Sequence, residues 1–190
     1  MGTAALLDVA GRGLRLGAVL LVESTTRGGS PDVRLRYELQ KFGWAEASLE
    51  CEGQVVAMTV SYLHDSLLEL ATAARTLVEE DAEARVIFMD EPGEHELILR
   101  RRDDDRVDAE VRWYQDWKSW GHRCGDGEML LTCTTTTGEL RDQVLSELHR
   151  LFRTHGEDGY RRLWLEHDFP TTEMRRLEQA ATATGTPPML

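Results

Sequence analysis

Short runs of strict two-residue alternation, joined by turns of only a few residues, limit this chain more than any other feature. Val33, Leu35, Tyr37 and Leu39 alternate with Arg34, Arg36 and Glu38. That pattern predicts a half-buried strand. After Gly43, the residues Trp44, Ala45, Ala47, Leu49 and Cys51 alternate with Glu46, Ser48 and Glu50. Glu52-Gly53 makes a second turn, and Gln54 to Tyr62 reads as a third strand. Strands this closely linked pair antiparallel.

The period then changes. Leu67, Leu68, Ala71, Ala74, Leu77 and Val78 recur at helical spacing behind a cap at Asp65 or Ser66. Glu79-Glu80-Asp81 puts negative charge at the end of that helix, which opposes its dipole and favours fraying. A second set of strands follows over Arg85–Asp90, His95–Arg100, Val107–Tyr114 and Glu128–Thr134. Glu91-Pro92-Gly93-Glu94 and Arg101 to Arg106 are its first two turns.

Thr136 and Glu139 have the spacing of a capping box. The helix they open carries Leu140, Val144, Leu148, Leu151 and Phe152 on one stripe and stops at His155-Gly156. A short helix over Gly159–His167 and a last helix from Pro170-Thr171-Thr172 to Ala180 complete the chain.

The expected class is therefore α+β. An antiparallel sheet of about six to seven strands forms two meanders separated by a helix, with two or three helices on one face. Residues 1–31 read as an N-terminal extension or an edge strand, 32–181 as a single α+β domain, and 182–190 as a disordered tail.

Gly159-Tyr160-Arg161-Arg162-Leu163-Trp164, followed by Phe169-Pro170-Thr171-Thr172-Glu173-Met174-Arg175-Arg176-Leu177, resembles the C-terminal portion of uncharacterised actinobacterial proteins. Ser61-Tyr62-Leu63-His64-Asp65-Ser66-Leu67 is similar to their strand-to-helix junction. The resemblance spans about half the chain and implies no function.

Charge narrows the partners. The net charge of −12 repels polyanions, so nucleic acid and anionic lipid are disfavoured and a basic protein is favoured. Lys occurs only at Lys41 and Lys118, Ile only at Ile87 and Ile98, and Asn nowhere, a bias expected of a high-GC bacterial genome. The three cysteines and the short apolar run Leu16–Val22, which has no Ala-x-Ala site behind it, point to a reducing cytoplasm without a disulfide framework. No stretch approaches the roughly 18 apolar residues of a membrane span.

No dinucleotide, phosphate-loop, serine-elbow or His-Glu-x-x-His motif occurs. Four candidate regions remain. Trp113-Tyr114-Gln115-Asp116-Trp117-Lys118-Ser119-Trp120 concentrates rings that suit a contact surface or a pocket wall; core packing is the competing reading, especially for Trp113. His122, Cys124 and Cys133 are candidate metal ligands, with Cys51 as a remote fourth, or a Cys nucleophile with a His base. The competing reading makes Cys51 and Cys133 small buried strand residues.

The acidic run Asp90-Glu91-Pro92-Gly93-Glu94-His95-Glu96 is a solvated hairpin tip or a docking surface for a basic partner. His155 to Pro170 frames a site or, more simply, links two packed helices through Tyr160, Trp164 and Phe169.

The resulting expectation is a non-catalytic acidic binding module that neutralises a basic protein, in the manner of a toxin's immunity protein. It needs no cofactor, and Trp117, Trp120, Tyr114, Asp90, Glu91 and Glu94 make the contacts. The alternative is a small enzyme or ligand-binding protein with the Trp113–Cys124 loop as its pocket wall.

Overall fold

A computed structural model of the chain describes residues 20–21, 33–80 and 83–183. The strands are β1 (Leu20–Leu21), β2 (Arg34–Leu39), β3 (Trp44–Cys51), β4 (Gln54–Ser61), β5 (Glu83–Met89), β6 (Glu94–Arg101), β7 (Arg106–Tyr114) and β8 (Glu128–Thr136). The helices are α1 (Ser66–Glu79), α2 (Thr137–Trp164) and α3 (Thr171–Ala183), with a 3₁₀ turn at Lys118–Trp120. The class is α+β with antiparallel sheets and three helices. Apart from Leu20 and Leu21, the expected N-terminal extension lies outside the described residues, as do 184–190 of the expected tail; α3 itself runs to Ala183.

The strands form two sheets where the alternation pattern suggests one. The first has the order β1-β4-β3-β2 and the second β5-β6-β7-β8. Helix side chains explain the division. A continuous sheet would need the outward N–H of Ile87 in β5, but Glu69 of α1 accepts it at 2.6 Å.

The β2 edge is closed in the same manner by α2. Leu35 N–H donates to Gln143 at 3.3 Å and Tyr37 N–H to Glu147 at 3.0 Å, while Arg150 donates to the Tyr37 carbonyl at 2.5 Å. An edge whose amides are occupied no longer templates another strand.

Both helix starts follow from their caps. The Asp65 side chain accepts the Leu68 N–H at the head of α1. At α2, Thr136 and Glu139 satisfy each other's backbone amides reciprocally. Leu67, Leu70 and Leu77 of α1 are buried, each worth roughly 1.5–3 kcal/mol on leaving water. α1 packs against β5, α2 and α3, and α2 lies against β2.

One continuous apolar core runs from Val33 to Ala181 and draws on both sheets. At Gly156 the α2 backbone leaves helical geometry (φ 60°, ψ −179°), where the sequence places a helix stop. The segment beyond it delivers Tyr160 and Trp164, both fully buried, toward Tyr37 and Phe169. Among the described residues no helix is long and apolar enough to cross a membrane.

Candidate functional site

Two of the sequence candidates come together as one body. The β5–β6 hairpin carries the acidic run, and the segment after β7 carries the aromatic one. β7 pairs with β6, so its C-terminal end emerges beside the hairpin tip; Tyr114 lies opposite Glu94 in the register. The segment then folds back across that tip. Trp117 Nε1–H donates to the Asp90 carbonyl at 2.9 Å. The 3₁₀ turn at Lys118–Trp120 is fastened by the next two acidic residues of β6.

Glu94 accepts the Ser119 N–H at 2.8 Å and the Ser119 hydroxyl at 2.5 Å. Glu96 accepts from Lys118 Nζ at 2.8 Å, Tyr114 OH at 3.1 Å and Arg85 Nη1 at 2.7 Å. Lys118 Nζ also sits 4.5 Å from the centre of the Tyr114 ring. Burying a carboxylate is costly unless its charge is compensated or hydrogen-bonded: Glu96 is paired with Lys118 and Arg85, and Glu94 is hydrogen-bonded by Ser119. Burial pushes the Glu96 carboxyl up, but Lys118 and Arg85 outweigh it and hold the group below its usual range.

The outer side of this body is different. Trp120 is 51% exposed although its backbone is fixed, and Trp117 lies behind it at 5.0 Å between ring centres. The His122 ring lies tilted against Trp117, 5.9 Å between centres, and its Nδ1 meets Asp116 at 2.8 Å. The Trp117 N–H, followed by His122, keeps the Asp116 carboxyl below the usual carboxylate range, so it stays ionised. On the hairpin, the Asp90 carboxylate accepts the Glu91 N–H at 2.7 Å and the Glu91 carboxylate accepts the Ser61 hydroxyl at 2.5 Å. The result is a half-exposed tryptophan on a segment fastened by buried acids, with the Asp116 carboxylate beside its neighbours Trp117 and His122.

Several expected roles change. Glu94 and Tyr114, expected at a contact surface, are buried and act as internal fasteners. The reason is that β6 is an inner strand buried from Glu94 to Leu99, so its acidic start points into the molecule. His122, Cys124 and Cys133 do not converge on a metal site. His122 faces Asp116, the Cys124 thiol reaches the Asp116 carbonyl at 3.5 Å, and Cys133 lies beside Cys51. Among the described residues no group of three or more His, Cys, Asp or Glu side chains could hold a metal ion.

Lys118, Ser119 and Glu96 fall inside the two candidate runs, but their role as positioning residues is not read from the sequence. The one local hint of that role is the lysine itself, one of two in the chain, placed between two tryptophans.

His95 lies tilted against Trp113, 4.5 Å between ring centres, on the neighbouring strands. Burial alone lowers its pKa to about 4, so it is neutral at neutral pH.

A cleft of about 510 Å³ opens elsewhere, between the head of α1, the bend of α2 and the start of α3. Asp65, Glu157, Asp158, Asp168, Glu173 and Phe169 are among its lining residues, and none comes from the Trp113–Cys124 loop. Its charges are largely compensated from within. Arg75 and Arg176 hold Glu173, Arg161 holds Asp168, and the Thr171 hydroxyl binds Glu157 at 2.5 Å. The His155–Pro170 region therefore links two helices and also walls this cleft.

Compared with known proteins, the chain matches no protein-family model, no curated protein and no solved structure.

Proposed function

We propose that this protein is a non-catalytic binding module for a basic protein partner, engaged through Trp120 and the carboxylates of Asp116, Asp90 and Glu91. The observation that supports it is the rigid presentation of a half-exposed tryptophan by buried acids. Two carboxylates are taken out of water, and their hydrogen bonds go to the segment that carries this ring. An anchor fixed in advance loses little entropy on binding, and large rings dominate interface energetics.

The chemistry of the rim indicates the partner. A guanidinium or ammonium group stacks favourably on an indole face and is further drawn by adjacent negative charge. The overall charge of −12 steers a basic protein toward the molecule. Neutralising such a partner, as an immunity protein does, fits this arrangement.

Titration with an arginine-rich peptide and with a glutamate-rich peptide of equal length tests the reading. The basic peptide should bind, more weakly as salt rises, and Trp120→Ala should weaken it about tenfold or more. Binding that is absent, or unchanged by Trp120→Ala, would overturn it.

A further inference from the structure

We infer that this chain pairs with a second copy of itself, the Lys41–Phe42 tip of each entering the other's cleft beside α2. Phe42, in the turn between β2 and β3, is 79% exposed, the most of any large apolar residue described. It also adopts φ 60°, a left-handed conformation that bulky side chains disfavour. Leu165, just past α2, does the same at φ 69° and is 47% exposed. The two belong to one knob. The Gly43 N–H donates to the Leu163 carbonyl at 2.8 Å, and a Cβ on Gly43 would lie 3.1 Å from Leu165 Cδ1. Phe42 buries little in the monomer, and strained backbone of this kind concentrates where proteins hold a ligand.

The cleft supplies what the knob lacks. Leu68, Phe169 and Pro170 give it apolar wall, and at about 510 Å³ it has room for a side chain such as Phe42. Arg161 neutralises Asp168 in its lining, and Arg75 and Arg176 hold Glu173. The negative charge it offers a guest is therefore that of Glu157 and Asp158, both exposed. Lys41, exposed beside Phe42, carries the opposite charge.

A second copy fits because knob and cleft are neighbours. The second half of α2 runs from the cleft at Glu157 to the knob at Leu163, six residues or roughly 9 Å of helix. Complementary features this close can meet twice across one two-fold axis, which closes the assembly at two chains. The net charge of −12 opposes self-association. At physiological ionic strength that repulsion is screened beyond about 8 Å, so the local contact decides.

Sedimentation of the chain over a series of concentrations up to millimolar, in physiological salt, is the test. The mass should rise from 21.5 kDa toward twice that and no further. Phe42→Asn introduces a residue that tolerates the left-handed conformation. It should keep or raise the thermal midpoint while weakening the dimer about tenfold or more. Lys41→Glu and Asp158→Lys should each dissociate the dimer. Mixing those two variants should restore it, because both contacts of the mixed pair again join opposite charges. Trp120→Ala should leave it intact, which separates this contact from the one proposed for a basic partner. A chain monomeric throughout, a mass beyond two chains, or a dimer unmoved by Phe42→Asn would overturn the inference. So would charge variants that fail to complement on mixing, or a dimer lost with Trp120→Ala.

Discussion

The buried carboxylate of Glu94 holds both the backbone N–H and the hydroxyl of Ser119, clamping the aromatic segment to the β5–β6 hairpin. Glu94→Gln keeps the shape but turns one acceptor into a donor. It should cost roughly 2 kcal/mol, the scale of a lost hydrogen bond to a charged group. Urea denaturation gives the loss. Tryptophan fluorescence should show the segment loosening, and Ser119→Ala should reproduce part of both changes.

Gly93 and Gly121 both have positive φ, yet their tolerance should differ. A Cβ on Gly93 would lie 2.4 Å from Trp113 Cη2 and 2.7 Å from the Tyr114 carbonyl oxygen. That oxygen is backbone in a paired strand and cannot move aside. A Cβ on Gly121 meets nothing within 4 Å. Gly93→Ala should lose roughly 3 kcal/mol from strain and overlap together. Gly121→Ala should lose about 1 kcal/mol from strain alone. Thermal denaturation of the two variants checks the contrast.

Two histidines should give pH dependence of opposite sign. His95 has a folded pKa near 4 against 6.5 unfolded, so between those values the unfolded chain binds more protons. Its contribution is complete above about pH 6.5 and is lost as pH falls toward 4, on the order of 3 kcal/mol in all. His64 is raised, chiefly by its hydrogen bond to Glu69. Its contribution is complete below about pH 6.5 and is lost as pH rises through the folded value. His95→Phe should flatten the acidic side of the stability profile and His64→Gln the other, as measured by denaturant titration at a series of pH values.

Removing the seal on β2 should expose an edge. Glu147→Ala leaves the Tyr37 N–H without its acceptor and Arg150 without its carboxylate, with only the Tyr37 carbonyl still accepting from it. The expected cost is roughly 2–3 kcal/mol, accompanied by light scattering on concentration as the edge recruits other chains. Glu147→Gln retains an acceptor and should lose less on both measures.

Elements whose signal is local were legible in the sequence. The alternation through Val33–Leu39 and Trp44–Cys51 is the alternation of the buried face of β2 and β3. The cap at Asp65 and the box at Thr136 and Glu139 sit where their spacing places them. What failed to show was long-range. Whether β4 and β5 share a sheet depends on Glu69 reaching Ile87 from a helix, and no periodicity records that. Glu94 and Glu96 look like solvated acids because their partners, Ser119 and Lys118, are supplied by a distant segment. The aromatic and acidic runs were visible separately; their docking was not.

The break at Gly156 interrupts the hydrogen-bond ladder that would otherwise carry one axis from Thr137 to Trp164. The stretch before it can follow the direction set by β2, and the stretch after it can tilt to seat Tyr160 and Trp164. A single rod would have to satisfy both neighbours at once, and an adjustment at either end would swing the other like a lever. The corner decouples them, so the flank of the molecule and its aromatic plug can each settle against their own surroundings.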